Sequence, residues 1–418
     1  MRQMKDSGIE WIGEIPESWN LSRYKFFTDN RMGETILASE TVETGIPVYS
    51  ATQEDKLFGY VSSAKLILQK NDFVIPARGN SIGCVSIVKE DIATCTQTTI
   101  CSKNIHGIDL LYLYYCCWGL KSEWFKYEGS AIPQISVEQV KNNIVPIPPK
   151  EEQQKISAYL DRQCGLIDSV IEKTKASIEE YKKLRQAVIT QAVTKGVRGD
   201  RPMKDSGIEW IGEIPEEWKI VKLKRISIRI GDGLHSTPEY DENGDYYFLN
   251  GNNIGSDMLI FKENTDRLNE AEYLKYKPCV LTDNTVLITL NGATFGKTSF
   301  YNNEKVLLGK SAGYITLKNE HSKKFLRYYL ASIPAKIIMD LSLNGTTIAN
   351  LSLTTLNNFT TPLPCIEEQN EIAAYLDKKC TEIDSLISKK EQFLTELEAY
   401  KKSLIYEYVT GKKEVPQA

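Results

Sequence analysis

Two short turns hold the residues best suited to chemistry. Ile75-Pro76-Ala77-Arg78-Gly79-Asn80-Ser81-Ile82-Gly83 lies over Ile288-Thr289-Leu290-Asn291-Gly292-Ala293-Thr294-Phe295-Gly296 at an offset of 213. Glycines in a tight strand connection supply the backbone freedom. The turn is expected to push short polar side chains outward: Arg78, Asn80 and Ser81 in the first copy, Asn291, Thr294 and Lys297 in the second. These types suit nucleic acid: Arg or Lys donates to guanine O6 and N7, Asn or Gln matches adenine N6 and N7, and hydroxyls meet either bases or phosphates. Gln53 and Gln97 in the first copy, and Asp232, His235, Thr237, Asn250 and Asn252 in the second, are weaker candidates of the same kind. For each, the alternative is a solvated turn residue beside a glycine that alone matters, and His235 fits a locally bonded turn residue equally well.

Other chemistries find little support. Gly292-Ala293-Thr294-Phe295-Gly296-Lys297-Thr298 has one residue too few between its glycines for a phosphate-binding loop, and Gly309-Lys310-Ser311 has Glu304 where the first glycine belongs. The first copy keeps the turn at Gly79 to Gly83 and lacks the Lys-Thr, so the glycines belong to a shared fold. An amino-methylating enzyme needs an Asn/Asp/Ser-Pro-Pro-aromatic loop to grip a flipped base. The only Pro-Pro is Pro148-Pro149, followed by Lys150. His106, His235 and His321 have no metal-ligand partner at helical or finger spacing, and the nine cysteines, without a C-x-x-C pair, fit reduced thiols. No catalytic residue, metal site or cofactor is expected in this chain.

The elements that must position these turns come from a duplication. Pro148 to Gly196 reads as one long helix and returns near the C-terminus at an offset of 216, with Glu151-Glu152-Gln153 over Glu367-Glu368-Gln369 and Tyr159-Leu160-Asp161 over Tyr375-Leu376-Asp377. Apolar positions alternate in steps of four and three: Ile167, Ile171, Ile178 and Tyr181 in one helix, Ile383, Ile387, Leu394 and Leu397 in the other. A proline before the first turn, acidic residues at the positive end of the dipole, and Gly196 or Gly411 at the far end mark the limits. Each rod would be roughly 65 to 70 Å long at 1.5 Å per residue, with a stripe too narrow for the core of one globule. Two rods lying antiparallel would bury both stripes. A second repeat, MKDSGIEWIGEIPESW from Met4 to Trp19, recurs from Met203 to Trp218 at an offset of 199 with only Ser18 changed, to Glu217. Its tryptophans and isoleucines suit a strap packed on the rods; a recent, undrifted duplication is the alternative.

Between strap and rod each copy reads as short strands (Asp72 to Ala77, Gly83 to Val88; Thr285 to Leu290, Lys297 to Tyr301) and an aromatic-rich helix (Leu110 to Trp118; Lys324 to Ile333). Gly129-Ser130-Ala131-Ile132 and Gly345-Thr346-Thr347-Ile348 form a further shared turn before each rod. The rise in offset from 199 to 213 gives the second copy about 14 extra residues, expected within Gly231 to Asn253, where turn formers are dense.

The 418 residues, 41% hydrophobic and 25% charged, are ordinary for a soluble protein, and no segment reaches 18 uncharged apolar residues. With no apolar signal core at the start, a cytoplasmic protein without a membrane partner is expected. The net charge of −4 argues weakly against nucleic-acid binding by bulk electrostatics, although Lys219 to Leu363 carries a basic excess.

The WIGEIPE strap, the Gly292 to Lys297 turn, the DGLHSTP stretch from Asp232 to Pro238 and the proline approach to EEQ..I..YLD at both rods resemble the specificity subunit of type I restriction-modification systems, over nearly the whole chain. The resemblance implies an α+β fold: two α/β target-recognition domains separated by two long helices that pair as an antiparallel coiled coil, in a pseudo-two-fold tandem duplication. The domains would be 1–147 (strap and first recognition domain), 148–198 (central helix), 199–363 (second strap and recognition domain) and 364–418 (C-terminal helix). Each recognition domain would read half of a bipartite, asymmetric site in double-stranded DNA, with half-sites about 10 base pairs apart. The paired helices would dock adenine methyltransferase subunits. S-adenosylmethionine would be used there, and ATP with Mg in the restriction subunits of the full complex, not in this chain. The rival reading is a non-catalytic tandem-repeat coiled-coil scaffold that binds protein.

Overall fold

The computed structural model describes residues 2–52, 56–127, 133–276, 280–292, 294–342 and 350–416. Gln53 and the shared turns at 129–132 and 345–348 lie outside the described residues. The chain forms two compact units, Met1–Lys175 with Glu391–Ala418, and Ala176–Lys390.

Two long helices dominate: α1 (Lys150–Lys195) and α2 (Ile366–Val409). The unit boundaries fall inside both, so each unit holds the start of one and the end of the other. Glu151-Glu152 and Glu367-Glu368 occupy the first turns, where carboxylates meet the positive helix end. Gly196 and Gly411 follow the last turns at φ +78° and +70°, the left-handed stop that glycine allows. At Gly411 a side chain would also collide with the strap, since a Cβ would sit 2.4 Å from Pro16 Cδ.

Within each unit the helices run antiparallel. In the first, Ile156, Leu160, Cys164, Ile167 and Ile171 share a core with Leu404, Ile405, Tyr408 and Val409, and Leu394 and Leu397 pack partly buried against it. The Tyr159 and Tyr408 rings lie 4.7 Å apart, and Lys401 Nζ reaches Asp168 at 2.6 Å. In the second unit Ile189 and Val193 share a core with Ile372 and Leu376, Arg185 pairs with Asp384 at 2.8 Å, and Lys390 Nζ sits 5.6 Å from the Tyr181 ring centre. Asp384 and Lys401 are the offset-216 equivalents of Asp168 and Arg185. The same ion pair therefore recurs with the helices exchanging roles. Along the expected seam, Ile167, Ile171, Ile178 and Ile383 are buried, while Tyr181, Ile387, Leu394 and Leu397 are half-buried.

The strap is a hairpin in both units, Met4–Asp6 with Glu14–Pro16 and Met203–Asp205 with Glu213–Pro215. It buries Ile15 and Trp19, or Ile214 and Trp218, against the helix ends. Each buried indole N–H needs an acceptor. Trp19 Nε1 donates to Glu152 and Trp218 Nε1 to Glu368, both at 3.0 Å, and Arg2 or Arg201 reaches the same carboxylate at 2.7 Å. The strap thus docks on the first turn of a long helix.

Two small sheets follow in each unit. In the first, one sheet orders Asp29–Met32, Thr99–Lys103, Phe73–Pro76 and Ser86–Ile87; the other orders Gly59–Val61, Ile46–Tyr49, Ile92–Cys95 and Leu68–Gln69. The second unit repeats the first sheet with Ser227–Asp232, Ala312–Leu317, Thr285–Thr289 and Thr298–Phe300, and the other sheet with three strands, Arg267–Leu268, Tyr246–Leu249 and Val306–Leu308. Phe73–Pro76 and Thr285–Thr289 are buried throughout; the first reads as a continuous apolar run, the second as an apolar centre between two threonines whose hydroxyls are hydrogen-bonded. The aromatic helix is Leu110–Gly119 in one unit. In the other it is Lys323–Leu330, followed by a separate helix, Ile333–Leu341, because Pro334 suits a first turn and cannot continue a ladder.

The extra residues of the second copy lie elsewhere than expected. Parallel pairing sets Tyr49 against Cys95 and Leu249 against Leu308, so the offset is still 200 at Leu249 and becomes 213 only beyond it. The added chain falls between Gly251 and Thr285, around Arg267–Leu268 and the helix Glu270–Lys275. The turn-rich Gly231 to Asn253 has its counterpart in the first copy nearly residue for residue.

Candidate nucleic-acid interface

At one end of the two sheets in each unit, four chain segments meet in a polar rim. In the first unit these are Gly33 to Thr35, Ser50 to Thr52, Ala77 to Gly83 and Thr96 to Thr98. One set of backbone bonds ties them: Gly33 N to Thr99 O (3.0 Å), Glu34 N to Cys95 O (3.0 Å), Ala77 N to Thr98 O (2.9 Å), Gly83 N to Pro76 O (3.0 Å) and Thr96 N to Tyr49 O (2.9 Å). The second unit has the same five: Gly233 N to Ala312 O (3.1 Å), Leu234 N to Leu308 O (2.7 Å), Leu290 N to Ser311 O (2.9 Å), Gly296 N to Thr289 O (3.0 Å) and Gly309 N to Leu249 O (2.8 Å). The close approach demands glycine at one point: a Cβ on Gly33 would lie 2.2 Å from Thr96 O, and one on Gly233 2.1 Å from Leu308 O.

The rim also keeps hydroxyls facing inward. Ser81 Oγ donates to Ala51 O at 3.0 Å, and its counterpart Thr294 Oγ1 donates to Gly251 O at 3.1 Å. The expectation that Ser81 and Thr294 point outward is corrected here. Ser81 is only 5% exposed and Thr294 half-buried, each hydroxyl turned in to a backbone carbonyl; Gly251 O accepts from Thr289 Oγ1 at 3.1 Å as well. Behind them, Thr96 and Thr98 hydroxyls lie 2.7 Å apart with Ser50 at 3.1 Å from Thr96, and Ser311 Oγ donates to Asn250 Oδ1 at 3.3 Å in the second unit.

The other candidates divide. Arg78, Asn80 and Gln97 are exposed and come together on the first rim, where Thr35 Oγ1 donates to Gln97 Oε1 at 3.0 Å. Half-buried Asn291 occupies the place of Arg78 on the second rim: an isolated bridge joins Arg78 to Gln134 and Asn291 to Asn350. Asn252 and Thr237 are exposed on adjoining turns, and exposed His235 lies with Nε2 at 2.8 Å from Asp232 Oδ2. A carboxylate only accepts, so Nε2 carries the proton. Lys297 is exposed but does not join the rim. It lines a cleft of about 540 Å³ with Arg185, Arg327, Asp257 and Asp384 beside the long helices.

Two further exposed residues, Lys310 and Thr35, are not among the candidates named from sequence. Lys310 occupies the place of Gln97, and Thr35 that of His235, since the parallel bridges Glu34 to Thr96 and Leu234 to Gly309 are equivalent. The signal was present: the offset of 213 applied to Gln97 lands on Lys310, within a triplet weighed only as a failed phosphate loop. Among the described residues no group of three or more His, Cys, Asp or Glu side chains could hold a metal ion. Burial pushes the Cys117 thiol up to about 12 and the Cys164 thiol up to about 11, away from thiolate chemistry.

The comparison with protein families agrees with the duplication. The model of the type I restriction modification DNA specificity domain matches twice, over residues 16–180 and 215–396. The chain belongs to the type I restriction-modification DNA specificity family. The MjaVIII specificity subunit of Methanocaldococcus jannaschii is 30% identical over 413 residues, 95% of this chain and 93% of that one. The putative MjaX specificity subunit of the same organism is 27% identical over 431 residues, 96% and 95% of the two chains. A chain solved in work on complex assembly and conformational transition of the type I R-M system shares the fold at a TM-score of 0.70, with 18% identity over 96% of this chain and 99% of that one. The HsdS subunit from Thermoanaerobacter tengcongensis aligns at 0.50 and 17% identity over 96% and 98%. Membership in this family makes DNA recognition the role of the chain. No helix among the described residues is long and apolar enough to cross a membrane.

Proposed function

We propose that this specificity subunit reads a split, asymmetric site in double-stranded DNA, with 1–147 bearing the reader of one half and 199–363 the reader of the other. The segments 148–198 and 364–418 dock adenine methyltransferase subunits, and restriction subunits join in the full complex. Methylation with S-adenosylmethionine and cleavage driven by ATP with Mg belong to those partners, and the complex acts in the cytoplasm. The observation that carries this reading is the repetition of one hydrogen-bonded rim, in two units each matched by a DNA specificity model, with different exposed side chains. Arg78, Asn80 and Gln97 on one rim and Asn291, Asn252, His235 and Thr237 near the other are of types that meet base edges. Partner subunits that enclose the duplex would supply phosphate contacts that a chain of net charge −4 provides sparingly.

The test is co-expression with the methyltransferase partner and genome-wide mapping of methylated adenine by single-molecule sequencing. One split motif is expected, and exchanging Asn20 to Ile147 for another such domain changes one half only. An assembled complex that methylates no motif would favour the protein-binding scaffold instead.

A further inference from the structure

The two rims compare one body with itself. Five backbone bonds of the frame recur in both, and two inward hydroxyls are kept, Ser81 as Thr294 and Thr98 as Ser311, whereas Ser50 becomes Asn250 and Thr96 becomes Gly309. Three positions facing out of the frame change type, Thr35 to His235, Arg78 to Asn291 and Gln97 to Lys310.

The replacements have an order. The first rim sets a cation on the glycine turn and an amide on the neighbouring turn, Arg78 and Gln97; the second sets an amide on the glycine turn and a cation on the neighbour, Asn291 and Lys310. Cations pair with guanine O6 and N7, whereas amides pair with adenine N6 and N7. The Thr35 hydroxyl, held 3.0 Å from Gln97 Oε1, steadies that amide. A residue whose orientation is fixed before contact loses less freedom on binding.

Resting on the reading of this chain as a DNA specificity subunit, we infer that Arg78/Gln97 and Asn291/Lys310 are equivalent pairs of specificity-determining residues, each reading one guanine and one adenine, in reversed order on the two rims. Lys310 is the guanine reader of the second rim.

The experiment uses the full chain in complex with its methyltransferase partner. Methylated adenines are mapped for the unaltered protein, for Lys310→Gln, and for the pair Asn291→Arg with Lys310→Gln, which installs the first rim's order on the second. Exposed Lys310 makes the single variant a surface change, and a thermal melt with recovery of the assembled complex verifies both variants. Lys310→Gln should lower methylation of the original site by about 5- to 150-fold, the worth of one base contact, by relaxing one guanine in one half-site. The pair should move that half-site toward an adenine at that position, and the other half should stay fixed. Unchanged motifs in both assembled variants would overturn the assignment while leaving DNA recognition standing. A change in the opposite half-site would overturn it as well. If the unaltered complex gave no split motif, the DNA-recognition reading itself would fall.

Discussion

Replacing Glu368 by alanine tests how the strap holds the fold, because the same carboxylate is presented at two degrees of burial. Glu368 is 1% exposed, accepts from Trp218 Nε1 at 3.0 Å and pairs with Arg201 at 2.7 Å, itself 12% exposed. Its counterpart Glu152 makes the same two contacts, at 3.0 and 2.7 Å, but its side chain is 27% exposed. Truncating one member of a buried ion pair costs about 3–5 kcal/mol when it strands the other charge; Arg201 keeps Glu217 at 2.8 Å, which sets the expectation at the lower end of that range. Glu368→Ala also orphans a buried indole N–H. Where water can replace the lost group the cost falls to about 1–2 kcal/mol, which is the expectation for Glu152→Ala. Both glutamates sit in a first helical turn, so the helix dipole contributes alike and cancels in the comparison. A unit of this size loses about 2–4 °C of Tm per kcal/mol. Glu368→Ala should therefore lower the melting of Ala176–Lys390 by roughly 10 °C, and Glu152→Ala that of the other unit by only a few degrees. Glu368→Gln keeps an acceptor without the charge and should fall between. Thermal melts followed by tryptophan fluorescence report both units, since Trp19 and Trp218 are buried one in each. Equal losses for the two alanine variants would refute the argument from burial.

Lys297→Ala should leave the methylated motif unchanged and alter stability by under about 0.5 kcal/mol, because Lys297 is exposed along the cleft and not on the rim. A loss of about one from the salt slope of DNA binding would mark a phosphate contact, and a changed base preference would refute its placement. Gly33→Ala and Gly233→Ala should each destabilise by more than about 3 kcal/mol in urea titrations, since a Cβ would press on a backbone carbonyl at 2.2 or 2.1 Å. Burial of the His321 ring, opposed in part by Glu320, lowers its pKa below the ordinary value. The folded state then favours the neutral ring, so this contribution is fully present above about pH 6.5 and is lost as pH falls through the depressed folded value. His321→Gln should flatten urea midpoints between about pH 7 and 5, and an unaltered slope would show that the ring is not the titrating group.

The parts of the fold governed by short-range pattern were legible in the chain. The helix limits follow from proline, acidic first turns and the glycine stops at Gly196 and Gly411, all local effects. The strap's role followed from its concentration of Trp and Ile, although its acceptors, Glu152 and Glu368, lie more than a hundred residues away and only the fold pairs them. The split of the second aromatic helix at Ser332 was within reach, since Pro334 announces it.

The rim was less legible because no single stretch contains it. Four segments contribute, and the pairing of Tyr49 with Cys95 and of Leu249 with Leu308 brings them together across gaps whose lengths differ between copies. An inserted segment shifts the numbering without marking where it begins, and turn formers are dense at Gly231 to Asn253 although the added chain lies beyond Gly251. Side-chain type also misleads where the sheet sets direction: Ser81 and Asn80 are neighbours on one turn, yet one hydroxyl is consumed by Ala51 O while the other side chain is exposed. Lys310 is hard to see for a different reason: its Gly-Lys-Ser triplet resembles a phosphate loop, and the Glu304 spacing that excludes phosphate binding says nothing of base contacts. Comparing Gln97 with Lys310 through the duplicated frame gives the position its meaning, because a framework fixed twice by the same hydrogen bonds leaves the exposed side chain as the variable that selection can use.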